Sequence, residues 1–388
     1  MERRERELEL YFHVPFCLKK CNYCDFLSFG ADSPLGDGRT KARYVENLIR
    51  ETRARAEDCR EYRVVSVFVG GGTPSTVAPE QLSELMAAVR ENYCLAQDAE
   101  VTVEVNPGTV EEGALQSYVR AGVNRLSIGL QSADDRELAA LGRVHTFGQF
   151  LEAYEAARRC GFSNVNVDVM SALPGQTLEG YLETLDKVLA LEPQPEHVSA
   201  YSLILEEGTP LAEQARQGEL ALPDEETDRL MYGSTQKVLE RAGYVRYEIS
   251  NYAKPGFQCR HNCGYWRRRE YAGFGVGAAS LMKGTRYKNG ADLRTYLEDP
   301  LGCREDVHVL TLQEQMEEFM FLGLRLTEGI SVSGFEAAFG RPLREVYEKA
   351  VEENLRDGLL AYRDGGSRLA LTERGLDLAN HAMARFLL

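Results

Sequence analysis

The sequence predicts an α/β protein whose parallel strands wrap into a barrel, followed by a smaller α-rich domain. Three observations carry this. A unit of strand, loop and helix recurs about six times between residues 7 and 204, the pattern of a parallel sheet. Two of those strands, EVTVEVNP (100–107) and NVNVDVM (164–170), alternate apolar with polar residues. A doubly wound sheet is covered on both faces and its strands read as solid apolar runs, so a polar inner face fits a barrel with a polar lumen. After residue 311 the strands give way to helices and one short hairpin.

Taken in order, ELELYFHV (7–14) is the first strand and feeds a cysteine-rich loop. GADSPLGDGR (30–39) is turn chemistry, and 40–58 is an amphipathic helix carrying Tyr44, Leu48 and Ile49. VVSVFV (64–69) is a buried-type strand ending in Gly70-Gly71-Gly72-Thr73, with a helix from Pro79 to Arg90 after it. The third strand places Val101, Val103 and Val105 on one face and Thr102, Glu104 and Asn106 on the other. RLSIGLQ (125–131) is the fourth, and helix 147–160 leads to the fifth, with Asn164, Asn166 and Asp168 on its polar face. HVSAYSLI (197–204) is the sixth. Functional groups of such barrels gather at the C-terminal strand ends, where the cysteine loop, the glycine triplet, Asn106 and Gln131 fall. Residues 1–205 form the barrel core. Residues 206–304 are an extension with a helix at 223–242 and a tyrosine- and glycine-rich tract. Residues 305–388 form the last domain, with helices near 311–325, 331–339 and 343–357 before the hairpin and a final helix.

Length and composition narrow the function. A chain of 388 residues with 44% hydrophobic content is globular and exceeds one compact core. MERRERELEL has no apolar h-region and no run approaches membrane-spanning length, so a cytoplasmic protein is expected, with membrane association only through a partner. Nine cysteines, six of them scattered (Cys59, Cys94, Cys160, Cys259, Cys263, Cys303), fit a reducing compartment. A net charge of −15 argues against nucleic acid as a partner.

The chemistry concentrates in YFHVPFCLKKCNYCDF (11–26). Cys17, Cys21 and Cys24 form a C-x3-C-x2-C run, three soft ligands for an iron–sulfur cluster or zinc. A closed site wants four ligands, so three leave a metal position open. His13 as a fourth ligand would make zinc an alternative; it also fits a structural role on the first strand. The glycine triplet lets backbone approach a ligand closely, or is simply a tight turn. Glu104 and Asp168 together on inner faces suit hydroxyls and a positive charge. Arg143 suits a carboxylate or solvent.

The cysteine run, with Tyr23 before its last member, resembles the radical S-adenosylmethionine (SAM) superfamily. That resemblance implies a partial (β/α)6 parallel barrel and a [4Fe–4S] cluster on Cys17, Cys21 and Cys24. Its fourth iron would chelate SAM, and an electron from the cluster would cleave SAM to a deoxyadenosyl radical. FVGGGTPS, EVNPG, SIGLQS, LGRVH, NVDVMSALPGQT and HVSAYSL, in this order, resemble the oxygen-independent coproporphyrinogen III oxidase family over nearly the whole chain. It implies SAM contacts at Tyr11, Gly71, Gly72, Thr73, Glu104, Gln131, Arg143 and Asp168, with another near Ser202. The C-terminal domain resembles a winged helix, yet residues 305–388 carry nine Lys and Arg against fifteen Asp and Glu. A DNA-reading wing is basic, so a docking or lid role is expected.

Two features separate the branches. The oxidase branch has a further cysteine two residues after the third cluster cysteine, where this chain has Phe26. The HemW-type haem chaperone branch has Asp-Phe there, as in Asp25-Phe26, and an H-N-x-x-Y-W signature, here His261-Asn262-Cys263-Gly264-Tyr265-Trp266. That branch implies binding of a cluster, SAM and haem, and transfer of haem to an acceptor protein. The alternatives are oxidative decarboxylation of coproporphyrinogen III and, less compatible with an acidic chain, tRNA modification. His261 lies among Arg260, Arg267, Arg268 and Arg269 beside Tyr265 and Trp266, which marks it as a candidate haem ligand with propionate partners around it. Cys259 and Cys263 flank it as thiolate alternatives. The Gly-x-Gly-x-Gly run of 273–277 reads as close packing more than as a nucleotide loop.

Overall fold

A computed structural model describes residues 6–302 and 304–387; residues 1–5, Cys303 and Leu388, with what was expected of them, lie outside the described residues. The six expected strands are present as β1 (Arg6–Val14), β2 (Tyr62–Gly71), β3 (Cys94–Val105), β4 (Arg125–Gln131), β5 (Val165–Ser171) and β6 (His197–Ser202). They pair in parallel in that order. Val67, Val69, Val101, Val103, Ile128, Val165 and Val167 of these strands are buried against the surrounding helices. Each such side chain contributes about 1.5–3 kcal/mol through burial.

Helix α1 (Gly38–Ala54) starts where Asp37 accepts the backbone N–H groups of Arg39 and Thr40. It ends four residues short of the expected 58, because residues 57–59 tighten into a 3-10 turn. Glu51 and Arg55 at its end are both buried and pair at 3.0 Å. The helix preceding β5 follows a complete capping box of Thr146 and Gln149.

The sheet extends beyond the six strands. Glu270–Phe274 adds a seventh parallel strand against β1, and three antiparallel strands, Ala279–Met282, Thr285–Asn289 and Arg304–Val309, continue that edge. On the other side Asn251–Ala253 pairs antiparallel with β6, and Val245–Arg246 pairs with it at the edge. Among the described residues the two ends are not hydrogen-bonded to each other, so the barrel is partial. The glycines of 273–277 serve packing: a Cβ at Gly275, where φ is +93°, would stand 2.3 Å from the buried Tyr44 hydroxyl.

The described part of the extension packs onto the barrel. Met231, Leu239, Tyr252, Phe274 and Tyr296 belong to the same hydrophobic core as the barrel. A second core joins Met316, Met320, Phe335, Leu343, Tyr347, Leu369 and Phe386. It lies between helices Leu312–Gly323, Val332–Phe339 and Leu343–Arg356 and a three-stranded antiparallel sheet ordered 330–331, 368–371, 360–363. This is the helix-plus-wing arrangement expected of the C-terminal part. Among the described residues no helix is long and apolar enough to cross a membrane.

Candidate functional site

One cavity of about 480 Å3 opens at the C-terminal ends of the strands. Its wall includes Cys17, Cys21 and Cys24, then Gly71, Gly72 and Thr73, and then Glu104, Gln131, Arg143, Asp168 and Ser202. The sequence named these residues from segments spread over 186 positions, and the fold brings them to one chamber.

The cysteine loop is docked by backbone. Asn22 N donates to Leu141 O at 2.9 Å and Cys24 N to Cys21 O at 3.2 Å. All three thiols are partly exposed and free. Burial pushes the Cys24 thiol up to about 11 and raises Cys17 as well, so a bound metal must release their protons. Among the described residues no three His, Cys, Asp or Glu side chains converge where a single ion could sit. A cubane makes the opposite demand, since each thiolate takes a different iron and the sulfurs stand apart. His13, the zinc alternative, is occupied: Nδ1 lies 2.9 Å from the Tyr11 hydroxyl and Nε2 2.8 Å from Leu27 O.

The glycine triplet is required by chain packing. A Cβ at Gly72 would come within 2.8 Å of the Val14 and Phe16 backbone, and one at Gly71 within 2.3 Å of the His13 ring. A side chain at Gly72 would therefore point into β1 and the cysteine loop and not into ligand space. Glu104 Oε2 accepts from Gly71 N at 3.1 Å. Burial first, and Asp168 second, push Glu104 up to about 7. Asp168 is also raised by burial, and its Oδ1 accepts from Asn166 Nδ2 at 2.7 Å. Two part-buried carboxylates facing one chamber call for a cation. Gln131 holds a left-handed backbone, φ 73°, at a bulge in β4, and its Oε1 accepts from the Tyr201 hydroxyl at 2.9 Å. Strain of this kind collects at functional sites.

Two expected residues lie elsewhere. Tyr11 is turned to His13 and is not part of the cavity wall. His261 is buried in the helix Arg260–Trp266 and is not part of the cavity wall, although its neighbour Asn262 is. Its Nδ1 is 2.9 Å from Ser66 Oγ, its Nε2 is 3.0 Å from the Tyr265 hydroxyl, and its ring stacks on Phe68. Burial, with Arg125 and Arg269, lowers it to about 3. The basic cluster is neutralised: Arg260 pairs with Asp98, Arg267 with Glu328, Arg268 with Glu318, and Arg269 with Glu7 and Glu9. Trp266 packs among Tyr247, Ala253, Cys263 and Leu326. The open aromatic and basic face read from the sequence is thus closed in this structure.

The sequence placed Asn106 at the strand ends without a ligand role and gave Tyr201, Ser199 and Asn262 no place in this site, yet all four line the cavity. The first had a signal in its place at the end of an alternating strand before Pro107-Gly108. His197, Ser199 and Tyr201 repeat the same two-residue period on β6.

Comparison with known proteins places this architecture. Residues 11–188 match the model of the radical SAM superfamily and residues 310–378 that of the HemN C-terminal domain. A solved structure of coproporphyrinogen III oxidase (HemN) from Escherichia coli superposes with a TM-score of 0.83 over 99% of this chain and 90% of its own, at 24% identity. That likeness concerns the fold. The chain is 37% identical to heme chaperone HemW of Lactococcus lactis over 97% of both chains. It is 35% identical to HemW of Bacillus subtilis, over 97% of this chain and 98% of the relative, and 35% identical to HemW of Escherichia coli, over 98% of each. The chain belongs to the HemW family. As in the radical SAM superfamily at large, membership implies a [4Fe–4S] cluster and SAM. The residues present fit both, since three free, partly exposed thiols and two raised carboxylates line one cavity.

The raised Glu104 sets a pH dependence. A carboxyl lifted above its usual value near 4.5 adds stability to the free fold at low pH, lost as pH rises through about 7. A cationic ligand needs the ionised form, so binding works against the proton. Cluster-loaded protein is expected to bind SAM about tenfold more weakly at pH 6 than at pH 8, by calorimetric titration. An equal affinity at both values would remove Glu104 from the site.

Proposed function

We propose that this HemW-family protein is a haem chaperone that binds haem, holds a [4Fe–4S] cluster and SAM, and passes haem to an acceptor protein in the cytoplasm. The observation that carries the radical SAM half is the single cavity shared by the three cysteines and Gly71 to Thr73, Glu104, Gln131, Arg143 and Asp168. The names of the relatives support the chaperone half. Cys17, Cys21 and Cys24 would hold the cluster, which supplies a one-electron donor when bound. Glu104 and Asp168 would balance the positive charge of SAM, and the Gly71–Gly72–Thr73 turn would form the wall beside it, its N–H groups held by Glu104, Val14 O and Phe16 O. Phe26, 62% exposed at the cavity rim, stands where the oxidase branch carries its further cysteine. On this reading the cluster-loaded protein takes up haem with a visible absorption band and does not convert coproporphyrinogen III. SAM-dependent conversion would favour the oxidase alternative.

His261 remains the proposed haem contact, at a stated cost. Iron ligation by it breaks the bonds to Ser66 and Tyr265 and unseats the segment 259–266 from the barrel. Haem binding through His261 is therefore expected to speed amide exchange in 259–266, and His261→Ala to shift the haem band. An unshifted band in that variant would move the ligand elsewhere.

A further inference from the structure

Asn106 joins two side chains that donate to the cluster cysteines. Thr73 Oγ1 donates to Cys17 Sγ at 3.6 Å, and an Arg143 guanidinium N–H donates to Cys21 Sγ at 3.6 Å. Between them lies one amide: Asn106 Nδ2 donates to Thr73 Oγ1 at 2.7 Å, and Asn106 Oδ1 accepts from the other Arg143 terminal nitrogen at 2.8 Å. Arg143 is further fixed by Gly129 O at 2.7 Å.

The direction of this chain is determined by its donor inventory. A guanidinium only donates, so the Asn106 oxygen must face Arg143 and its NH2 must face Thr73. The Thr73 oxygen is then an acceptor towards Asn106, and its single proton is left for Cys17. Without Asn106 the hydroxyl could turn that proton elsewhere, and the guanidinium would lose one of its two oxygen acceptors. Hydrogen bonds of this kind polarise one another along a chain.

Resting on the reading that Cys17, Cys21 and Cys24 hold a cluster, we propose that Asn106 is a positioning residue which aims two hydrogen bonds at cluster thiolates and thereby raises the cluster's reduction potential. Donors to the sulfurs withdraw charge from an iron–sulfur centre and favour its reduced form. The sequence separations, 33 residues to Thr73 and 37 to Arg143, make this a link formed only by the fold.

The test is a double-substitution cycle on the full chain, reconstituted anaerobically: wild type, Asn106→Ala, Thr73→Val and the pair. Iron and sulfide content is read first, and then the midpoint potential by redox titration followed with electron paramagnetic resonance. Asn106→Ala with retained iron is expected to be harder to reduce. At a fixed poise its reduced-to-oxidised ratio should fall about tenfold, which for one electron is about 59 mV. The shift caused by Asn106→Ala should be smaller in the Thr73→Val background, since part of it runs through that hydroxyl. Should Asn106→Ala lose iron, Asn106→Ser replaces it in the same cycle. An unchanged potential, or fully additive shifts, would overturn the proposal. A wild type that holds no cluster would instead overturn the reading on which it rests.

Discussion

Cys21→Ala, reconstituted anaerobically, is expected to hold at least about tenfold less iron and sulfide per chain than wild type. Loss of a mere supporting contact costs 10–100-fold in metal affinity, and here a ligand itself is removed. Cys21 is the middle member of the triad. Its loop is fastened by Asn22 to the backbone at 140 and 141 and does not depend on the thiol for its shape. The apo form of the variant should therefore melt near the wild-type temperature, which separates loss of a ligand from loss of the fold. A full complement of iron in Cys21→Ala would refute the assignment of the three cysteines.

Glu100→Ala is expected to destabilise the protein by about 3–5 kcal/mol, the cost of removing one partner from a buried charged network. Glu100 is buried beneath the helix Arg260–Trp266. Its carboxylate accepts from Arg260 N and His261 N, both at 3.0 Å, and from Cys259 Sγ at 3.5 Å. It also supports the charge of the buried Arg125. Without it two N–H groups at a helix start lose their acceptor, and each buried orphan costs about 1–3 kcal/mol. Urea unfolding of apo protein reads the effect directly. A change under about 1 kcal/mol would mean that the helix is held by other contacts, since surface substitutions rarely exceed half of that.

The strands were legible because their β-branched runs alternate or stay apolar, and β4 appears with the bounds its residues suggest. β3 begins earlier, at Cys94, because Cys94 and Leu95 pair with Arg63 and Val64 before the register slips and resumes at Glu100. No periodicity in CLAQDA announces that. The seventh parallel strand was hidden because Gly273 interrupts its short run, and the reason for that glycine is the close approach of the Ala279 backbone. At the candidate site, cysteine spacing is local and could be read, while the Thr73–Asn106–Arg143 bridge could not. The same reason explains the HNCGYW tract. Composition shows its arginines and aromatic rings, but the carboxylates that neutralise them, Glu7, Glu9, Asp98, Glu318 and Glu328, arrive from other parts of the chain.

The outermost strand, Arg304–Val309, is exposed along its whole length, with Val307 and Val309 uncovered. A straight edge of that kind offers unpaired backbone groups to another molecule and invites fibrous self-association. This one is spoiled for the purpose. Its pairing with Thr285–Asn289 slips between Arg286 and Lys288, Asp306 takes a left-handed turn at φ 51°, and Lys288 and Asp306 set opposite charges at the slip. A second chain laid alongside would meet a kink and a charged pair instead of a continuous ladder, so the irregularity works against aggregation in a protein whose described residues leave twelve strands in one open sheet.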